Sequence, residues 1–316
     1  MRRKLIKFGK NSYVISIPKD WIDRNTLGKG DELYLDISPQ SITIYPGDPE
    51  HDRDEKTLAI PIDGKELPRI HTEIVSAYLL GYTMLTISGD SIAKFRKEIK
   101  NIIINLAGLE IVEVGKRSIV AKDMLSIKDI SLEANLRRID MTVRMMISEC
   151  VSKDPKEAYE SLFETDMDVN RLVFLVFRML HSIMEDYTLQ RKMKLSIMDI
   201  HIYWDLVMRL EKVGDQSKRI ARWLQGAKYT TKSYDELVAI QDCLSSHYKE
   251  VMASYYKKDK DKAITIEVGC RDDIEMCDAF LRRHGDMHSA EIIENFKSMS
   301  TAIKNMSRTV INATHG

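Results

Sequence analysis

The sequence has few of the residues that define disulfide-rich, all-β or membrane-spanning proteins. Its 316 residues include 7 Pro and 14 Gly, too few for a loop-rich all-β protein. No run of about 18 apolar residues occurs, and no apolar signal-peptide core follows the basic N-terminus, so we expect a cytoplasmic protein without membrane insertion. No C-x-x-C pair occurs, which predicts reduced, mostly structural thiols at Cys150, Cys243, Cys270 and Cys277.

The charge of the chain is balanced overall but uneven along its length. With 48 Lys+Arg, 48 Asp+Glu and 44% hydrophobic residues, the composition is that of a folded protein of two or three domains. Residues 1–30 hold eight basic and two acidic side chains, a net charge of +6. Such a patch suits a polyanion, and the alternative is a basic face exposed to solvent.

The residue pattern changes twice along the chain, and the three resulting segments predict its fold class. Residues 1–50 have strand-like segments at 13–17, 32–37 and 41–45, with one helical turn at 19–22, and predict a small β-rich domain. The Pro- and Gly-bearing residues 46–55 resemble a linker, and a turn is expected at 38–40. Residues 56–127 alternate strands (57–62, 82–87, 109–114, 118–121) with helices (67–80, 92–106), which predicts an α/β middle domain.

Residues 128–316 predict an all-α half. Apolar spacing places helices near 130–152, 155–187, 192–226, 233–258, 261–283 and 289–314. A faint repeat aligns residues 166–170 with 273–277 and residues 209–215 with 302–308. The six helices therefore divide into two three-helix units, 128–228 and 229–316.

Two acidic clusters are candidate metal sites. Glu211 and Asp215 are four residues apart on one helix face, where like charges repel and a bound cation would reverse the penalty. Oxygen ligands favour Mg²⁺, Ca²⁺, Mn²⁺ or iron. The preceding helix offers a second cluster, with Glu164, Asp166, Asp168 and Asn170. For both clusters the alternative is an acidic face exposed to solvent.

Other chemistry has weaker signals. The pair His284-x-x-x-His288 lies at a predicted helix junction without further ligands at metalloprotease spacing, which favours a polar linker. The sequence contains no G-x-S-x-G, Walker loop, G-x-G-x-x-G or Cys/His nucleophile pair. We therefore expect a protein that is not an enzyme.

One helical motif resembles that of a known family. The PhoU family of phosphate uptake regulators has an "L-E-R-I-G-D-h-a-x-x-I-A" signature, which is similar to Leu210-Glu211-Lys212-Val213-Gly214-Asp215-Gln216-Ser217-Lys218-Arg219-Ile220-Ala221. This resemblance implies two three-helix repeats, with metal ligands at Glu211 and Asp215. It carries over less well to Asp166 and Asn170, with Asp168 or Glu164 as substitutes. In the second repeat Lys304 and Arg308 replace the carboxylates, so we expect metal in at most one bundle.

The N-terminal segment resembles the SpoVT/AbrB-like swapped-hairpin domain. The matching residues are Lys7-Phe8-Gly9, Ser12 to Trp21, and Gly28-x-Gly30-Asp31-Glu32-Leu33. The resemblance implies that two chains intertwine into one dimeric barrel whose basic face often binds DNA. Dimerisation without DNA binding is the alternative. The candidate DNA contacts are Arg2, Arg3, Lys4, Lys10, Lys19 and Arg24.

Together these features predict a dimeric, non-enzymatic regulator of phosphate uptake, of the archaeal type that fuses both modules. It would bind DNA, contact a phosphate-transport complex or signalling protein, and hold a divalent metal (Mg, Mn, Fe or Zn). One alternative is a SpoVT/AbrB-like transcription factor whose helical domain senses a metal or ligand unrelated to phosphate. Another is a scaffold that binds only proteins. The middle segment would serve as a ligand pocket or a spacer.

Overall fold

The computed structural model describes residues 1–37, 41–47 and 56–313. The chain forms two compact units, Met1–Glu55 and Lys56–Gly316. The turn predicted at 38–40, most of the predicted linker and the end of the last predicted helix lie outside the described residues. The predicted fold class is confirmed, with β-hairpins first, an α/β segment next and helices in the C-terminal half. No described helix has the length and apolar character needed to cross a lipid bilayer.

The first unit contains two antiparallel hairpins and one short helix. Strands β1 (Ile6–Phe8) and β2 (Ser12–Val14) pair around Gly9, whose φ of +69° suits glycine. Helix α1 (Lys19–Arg24) follows, and then β3 (Tyr34–Ile37) pairs with β4 (Ile42–Tyr45). Strand β1 was not predicted, and β2 is shorter than the apolar run at 13–17 that signalled it.

Each hairpin has one apolar face that is largely exposed in the described part of this unit. Directly paired and alternate residues share a face, so one face of β1–β2 carries Ile6, Phe8 and Val14. The corresponding face of β3–β4 carries Leu35, Ile37, Ile42 and Ile44. No side chain in the described part of this unit is buried. Phe8, for example, is 68% exposed.

The second unit begins with a four-stranded sheet covered by two helices. Its elements are β5 (Thr57–Pro61), α2 (Leu67–Leu79), β6 (Met84–Ser88), α3 (Ile92–Ile104), β7 (Leu109–Val114) and β8 (Ser118–Asp123). The strand order is β5-β6-β8-β7. Strands β5 and β6 are parallel because α2 forms the crossover between them, whereas β8 is antiparallel to both of its neighbours. Buried Leu85 and Ile87 of β6 belong to the core of this segment.

The rest of the second unit is helical. The helices are α4 (Leu132–Glu149), α5 (Pro155–Glu185), α6 (Tyr187–Lys192), α7 (Ile197–Leu224), α8 (Thr231–Lys257), α9 (Lys260–Arg283) and α10 (Met287–Ala313). The six predicted helices are present, and α6 is an additional short one. Helix α7 begins at residue 197, not 192, because Ser196 caps it. Its hydroxyl accepts from the Asp199 backbone N–H at 3.1 Å, and the Asp199 carboxylate accepts from the Ser196 backbone N–H at 2.8 Å.

One hydrophobic core runs through both three-helix units, with buried residues from α4 to α10. It includes, for example, Val176 of α5, Leu210 of α7, Leu244 of α8 and Phe296 of α10, all fully buried. The two three-helix units therefore share one hydrophobic core and are not separate bundles joined by a linker.

A buried arginine connects the helices to the α/β segment. Arg178 of α5 donates to the carboxylate of Asp123, at the end of β8, and to the backbone carbonyl of Tyr78 in α2. Its guanidinium carbon lies 4.6 Å from the centroid of the Tyr78 ring. The Arg178 and Asp123 side chains are only 1% and 5% exposed. The orientation of the sheet against α5 therefore depends on a charge pair withdrawn from water.

Candidate functional site

Helices α5 and α7 bring three of the predicted metal ligands together. We call Asp166, Glu211 and Asp215 the acidic cluster. Asp166 is buried in α5, and Glu211 and Asp215 are half-buried one turn apart on α7. Lys218 lies between the two aspartates, with its Nζ 2.6 Å from Asp166 Oδ2 and 3.2 Å from Asp215 Oδ1. The position where a metal ion would bridge these carboxylates thus holds an ammonium group.

The other contacts of the acidic cluster also supply positive charge or hydrogen-bond donors. Asn170 Nδ2 donates to Asp166 Oδ2 at 3.2 Å, so the predicted Asp166–Asn170 pair is in contact. Arg219 Nε lies 2.8 Å from Asp215 Oδ2. Burial raises the pKa of Glu211, and the nearby charges of Asp215 and Asp166 raise it further. Burial alone would lower the pKa of Lys218, but its bonds to Asp166 and Asp215 outweigh this and raise it. The two aspartates of the cluster are thus already paired with cationic protein groups.

The remaining predicted ligands lie elsewhere on α5. Glu164 and Asp168 are exposed. Each is two residues from Asp166, about 200° around the helix, and so points away from α7. The structure does not bring these two side chains to the acidic cluster.

Gly214, inside the motif of α7, has a packing role. A Cβ atom at this position would lie 3.2 Å from Met146 Sδ of α4. The missing side chain therefore allows α4 and α7 to approach closely next to Asp215. The glycine of the motif thus serves the close packing of α4 against α7 and not the binding of a metal.

The second three-helix unit reverses the charges of the first at the aligned positions. Lys304 and Arg308 of α10, which align with Glu211 and Asp215, pair with Glu267 of α9 at 3.6 and 3.0 Å. Asp273, which aligns with Asp166, is again a buried carboxylate, only 1% exposed. The repeat thus conserves the buried aspartate and changes its surroundings.

Asp273 meets two potential metal ligands from α8. We call Cys243, His247 and Asp273 the second-repeat cluster. Asp273 Oδ1 lies 3.0 Å from His247 Nδ1 and 3.3 Å from Cys243 Sγ. The hydrogen bond to Asp273 raises the pKa of His247. Burial would raise the pKa of Asp273, but the bonds from His247, Ser300 and Cys243 outweigh this and lower it.

The sequence contained a signal for this cluster that a search for C-x-x-C pairs misses. Cys243-x-x-x-His247 places two ligands one turn apart on the same face of a helix.

The other histidine pair, His284 and His288, makes ring contacts at the α9–α10 junction. His284 lies 4.7 Å from the Phe280 ring, and His288 lies 5.8 Å from the Trp223 ring.

The predicted DNA contacts lie in the first unit, and all of them are exposed to solvent: Arg2, Arg3, Lys4, Lys10, Lys19 and Arg24. An open apolar groove of about 310 Å³ lies in the same unit, lined by Ile15, Ile17, Pro18, Trp21 and Ile44 among others. The unit therefore combines accessible positive charge with uncovered apolar surface.

Comparisons with known proteins give matches to both parts of the chain. Residues 6–51 match the family model for antidote-toxin recognition MazE, a bacterial antitoxin, which confirms an AbrB-like domain at the N-terminus. The solved structure of PhoU from Pseudomonas aeruginosa is 15% identical, and the similarity covers 58% of this chain and 92% of that protein with a TM-score of 0.45. The phosphate transport system regulatory protein PhoU from Streptococcus pneumoniae is also 15% identical. Its match covers 58% of this chain and 89% of that protein, with a TM-score of 0.44. These structures carry the name of the family that residues 210–221 resemble. No curated protein sequence matches the chain.

Proposed function

We propose that the protein is a homodimeric, non-enzymatic DNA-binding regulator that controls phosphate uptake in the cytoplasm. The observation that carries the proposal is the first unit, where exposed basic residues accompany two hairpins and no side chain among the described residues is buried. The match of this segment to the MazE antitoxin model supports the same assignment. The helical half would relay the state of a phosphate-transport complex, or of a signalling partner, to the DNA-binding unit.

Dimerisation follows from the uncovered faces of the hairpins. Apolar area removed from water contributes about 25 cal/mol per Å², and a unit of this size without a core does not reach independent stability. A second copy offers the same two apolar faces and would cover both. The dimer therefore supplies a core to the first unit, whose described residues include no buried side chain in one chain.

A change on the apolar face of the first hairpin should dissociate the dimer. Phe8→Asp places a charge on the face shared with Ile6 and Val14, and we expect monomers in sedimentation-velocity analysis at concentrations where the unmodified chain dimerises. Tyr13→Asp is the matched control, because Tyr13 is similarly exposed (64% against 68%) but lies on the opposite face. Equal dissociation constants for the two variants would contradict dimerisation through this face.

DNA binding should depend on the basic residues that precede β1. Replacing Arg2, Arg3 and Lys4 by Gln should weaken binding in fluorescence anisotropy. It should also reduce the slope of log affinity against log salt by about 0.9 for each phosphate that the variant no longer neutralises. The control replaces three exposed lysines of the second unit, Lys153, Lys156 and Lys257.

The DNA probe separates the candidate functions. We expect selective binding to sequences upstream of phosphate-transport genes over a scrambled duplex of equal length. Absence of DNA binding at low salt by an intact dimer would mean that the first unit serves only to dimerise the protein. That result would favour a scaffold that binds only proteins. Selective binding at unrelated promoters would favour a transcription factor that senses something other than phosphate.

The link to phosphate is supported by the resemblance of residues 210–221 to the PhoU signature. The acidic cluster formed by this motif would hold a divalent cation only if that cation displaces Lys218 from Asp166 and Asp215.

Loss of the gene should alter phosphate uptake and phosphate-responsive transcription. Unchanged uptake and transcription in the deletion strain would contradict the phosphate assignment and leave DNA binding as a separate result.

A further inference from the structure

We propose that the second-repeat cluster is a Zn²⁺ site built from Cys243, His247 and Asp273. It lies between α8 and α9 in the second three-helix unit, whereas the acidic cluster lies in the first. It is independent of the proposed function, because it uses neither the first unit nor the phosphate-regulator motif.

The three ligand atoms are already close to the arrangement that zinc requires. Cys243 and His247 project from one face of α8, and Asp273 reaches them from the middle of α9. The three ligand atoms all lie within 4.8 Å of one another. Zn–S and Zn–N/O bonds of about 2.3 and 2.0 Å in a tetrahedron place ligand atoms roughly 3.3–3.5 Å apart. The distances from Asp273 Oδ1, 3.0 Å to Nδ1 and 3.3 Å to Sγ, therefore need little adjustment.

The donor set selects zinc over the hard cations expected at an all-oxygen site. Thiolate and imidazole are favourable ligands for Zn²⁺, whereas Mg²⁺ and Ca²⁺ prefer oxygen. The ion-pair partner of Asp273 is His247, which is itself a metal ligand type. In the acidic cluster a lysine occupies the corresponding place beside Asp166.

The surroundings of the second-repeat cluster hold its ligands in position. Ser300 Oγ of α10 donates to Asp273 Oδ2 at 2.9 Å, a hydrogen bond that helps to orient the carboxylate. The imidazole of His247 packs against the backbone of α9 at Gly269, one turn before Asp273, where a Cβ would lie 3.4 Å from Nε2. Asp273 is buried, whereas Cys243 and His247 are half-buried. The site thus has a fixed inner ligand and an outer side open to solvent for metal entry and a fourth, water ligand.

Metal titration of the full-length, reduced chain tests the site. Calorimetry with Zn²⁺ should give one tight site per chain, and Co²⁺ should give the near-ultraviolet absorption of a thiolate-to-cobalt charge transfer. Cys243→Ser and His247→Gln should each weaken Zn²⁺ binding by about 100-fold or more, and Cys243→Ser should abolish the cobalt–thiolate band. Ser300→Ala should weaken binding by about 10- to 100-fold, as expected for a residue that orients a ligand.

Control variants identify the source of any signal. Cys150→Ser removes a buried thiol from the first three-helix unit and should leave both readouts unchanged. Asp215→Asn alters the acidic cluster and should also leave the Zn²⁺ affinity and the cobalt–thiolate band unchanged. Failure of the zinc-site proposal can therefore be distinguished from failure of the phosphate assignment. Circular dichroism of each variant without metal verifies its fold. A Co²⁺ complex without the thiolate band, or equal Zn²⁺ affinity in folded Cys243→Ser and Cys150→Ser, would overturn the proposal. The cluster would then be a hydrogen-bonded His–Asp pair.

Discussion

Replacing Arg178 by methionine should lower the free energy of unfolding by about 3–5 kcal/mol, the range for breaking a buried ion pair. The variant leaves the Asp123 carboxylate without its partner at a position that is 5% exposed. It also removes the donor to the Tyr78 carbonyl. Urea denaturation followed by circular dichroism measures the change through the midpoint at a constant slope.

Two further variants separate charge from packing. Arg171→Met, at an exposed position of the same helix, should change stability by less than about 0.5 kcal/mol. The double variant Arg178→Met/Asp123→Leu should lose less stability than Arg178→Met alone, because no unpaired charge stays buried. If Arg178→Met behaves like Arg171→Met, the buried pair does not fix the sheet against α5.

The second large effect concerns the acidic cluster. Lys218→Met should destabilise the metal-free protein by roughly 2–4 kcal/mol, somewhat below the full value for a buried pair because the Lys218 side chain keeps 20% exposure. Removal of the ammonium leaves Asp166, Asp215 and Glu211 in mutual repulsion. A divalent cation can then occupy the vacated position without competition. We therefore expect Mn²⁺ or Mg²⁺ to restore stability in this variant, by about 2.7 kcal/mol at 100 times its dissociation constant.

Thermal unfolding with and without Mn²⁺ measures this effect. Lys212→Met is the control, since Lys212 is exposed on the same helix and should leave the response to metal as it is in the unmodified chain. Adding Asp166→Asn to Lys218→Met should remove the Mn²⁺ response. Identical metal responses in Lys218→Met and Lys212→Met would show that Lys218 does not compete with divalent cations for the acidic cluster.

Much of the fold could be predicted from the sequence because its signals are local. Apolar spacing identified the six long helices, and alternation identified the strands at 57–62 and 82–87 close to their observed bounds. Strand β1 has three residues, too few for a period to be visible. The start of α7 depends on the reciprocal bonds between Ser196 and Asp199, which the apolar pattern does not contain.

The sites were less predictable because their decisive contacts cross between helices. The spacing of Glu211 and Asp215 indicated a shared face, but the contact of Lys218 with Asp166 joins residues 52 positions apart. Cys243 and His247 have a recognisable spacing, but Asp273 follows them by 30 and 26 residues. Charges near one another on one helix can be found from sequence. Partners on neighbouring helices depend on how those helices pack.

The continuous core of α4–α10 has a consequence for how the helical half responds to ligands. Since buried residues of both three-helix units pack into one interior, neither unit can loosen without exposing apolar surface of the other. A ligand that binds only the folded form therefore stabilises the entire helical half and not its own unit alone. Zn²⁺ bound at the second-repeat cluster should accordingly raise the unfolding temperature of the first three-helix unit as much as that of its own unit.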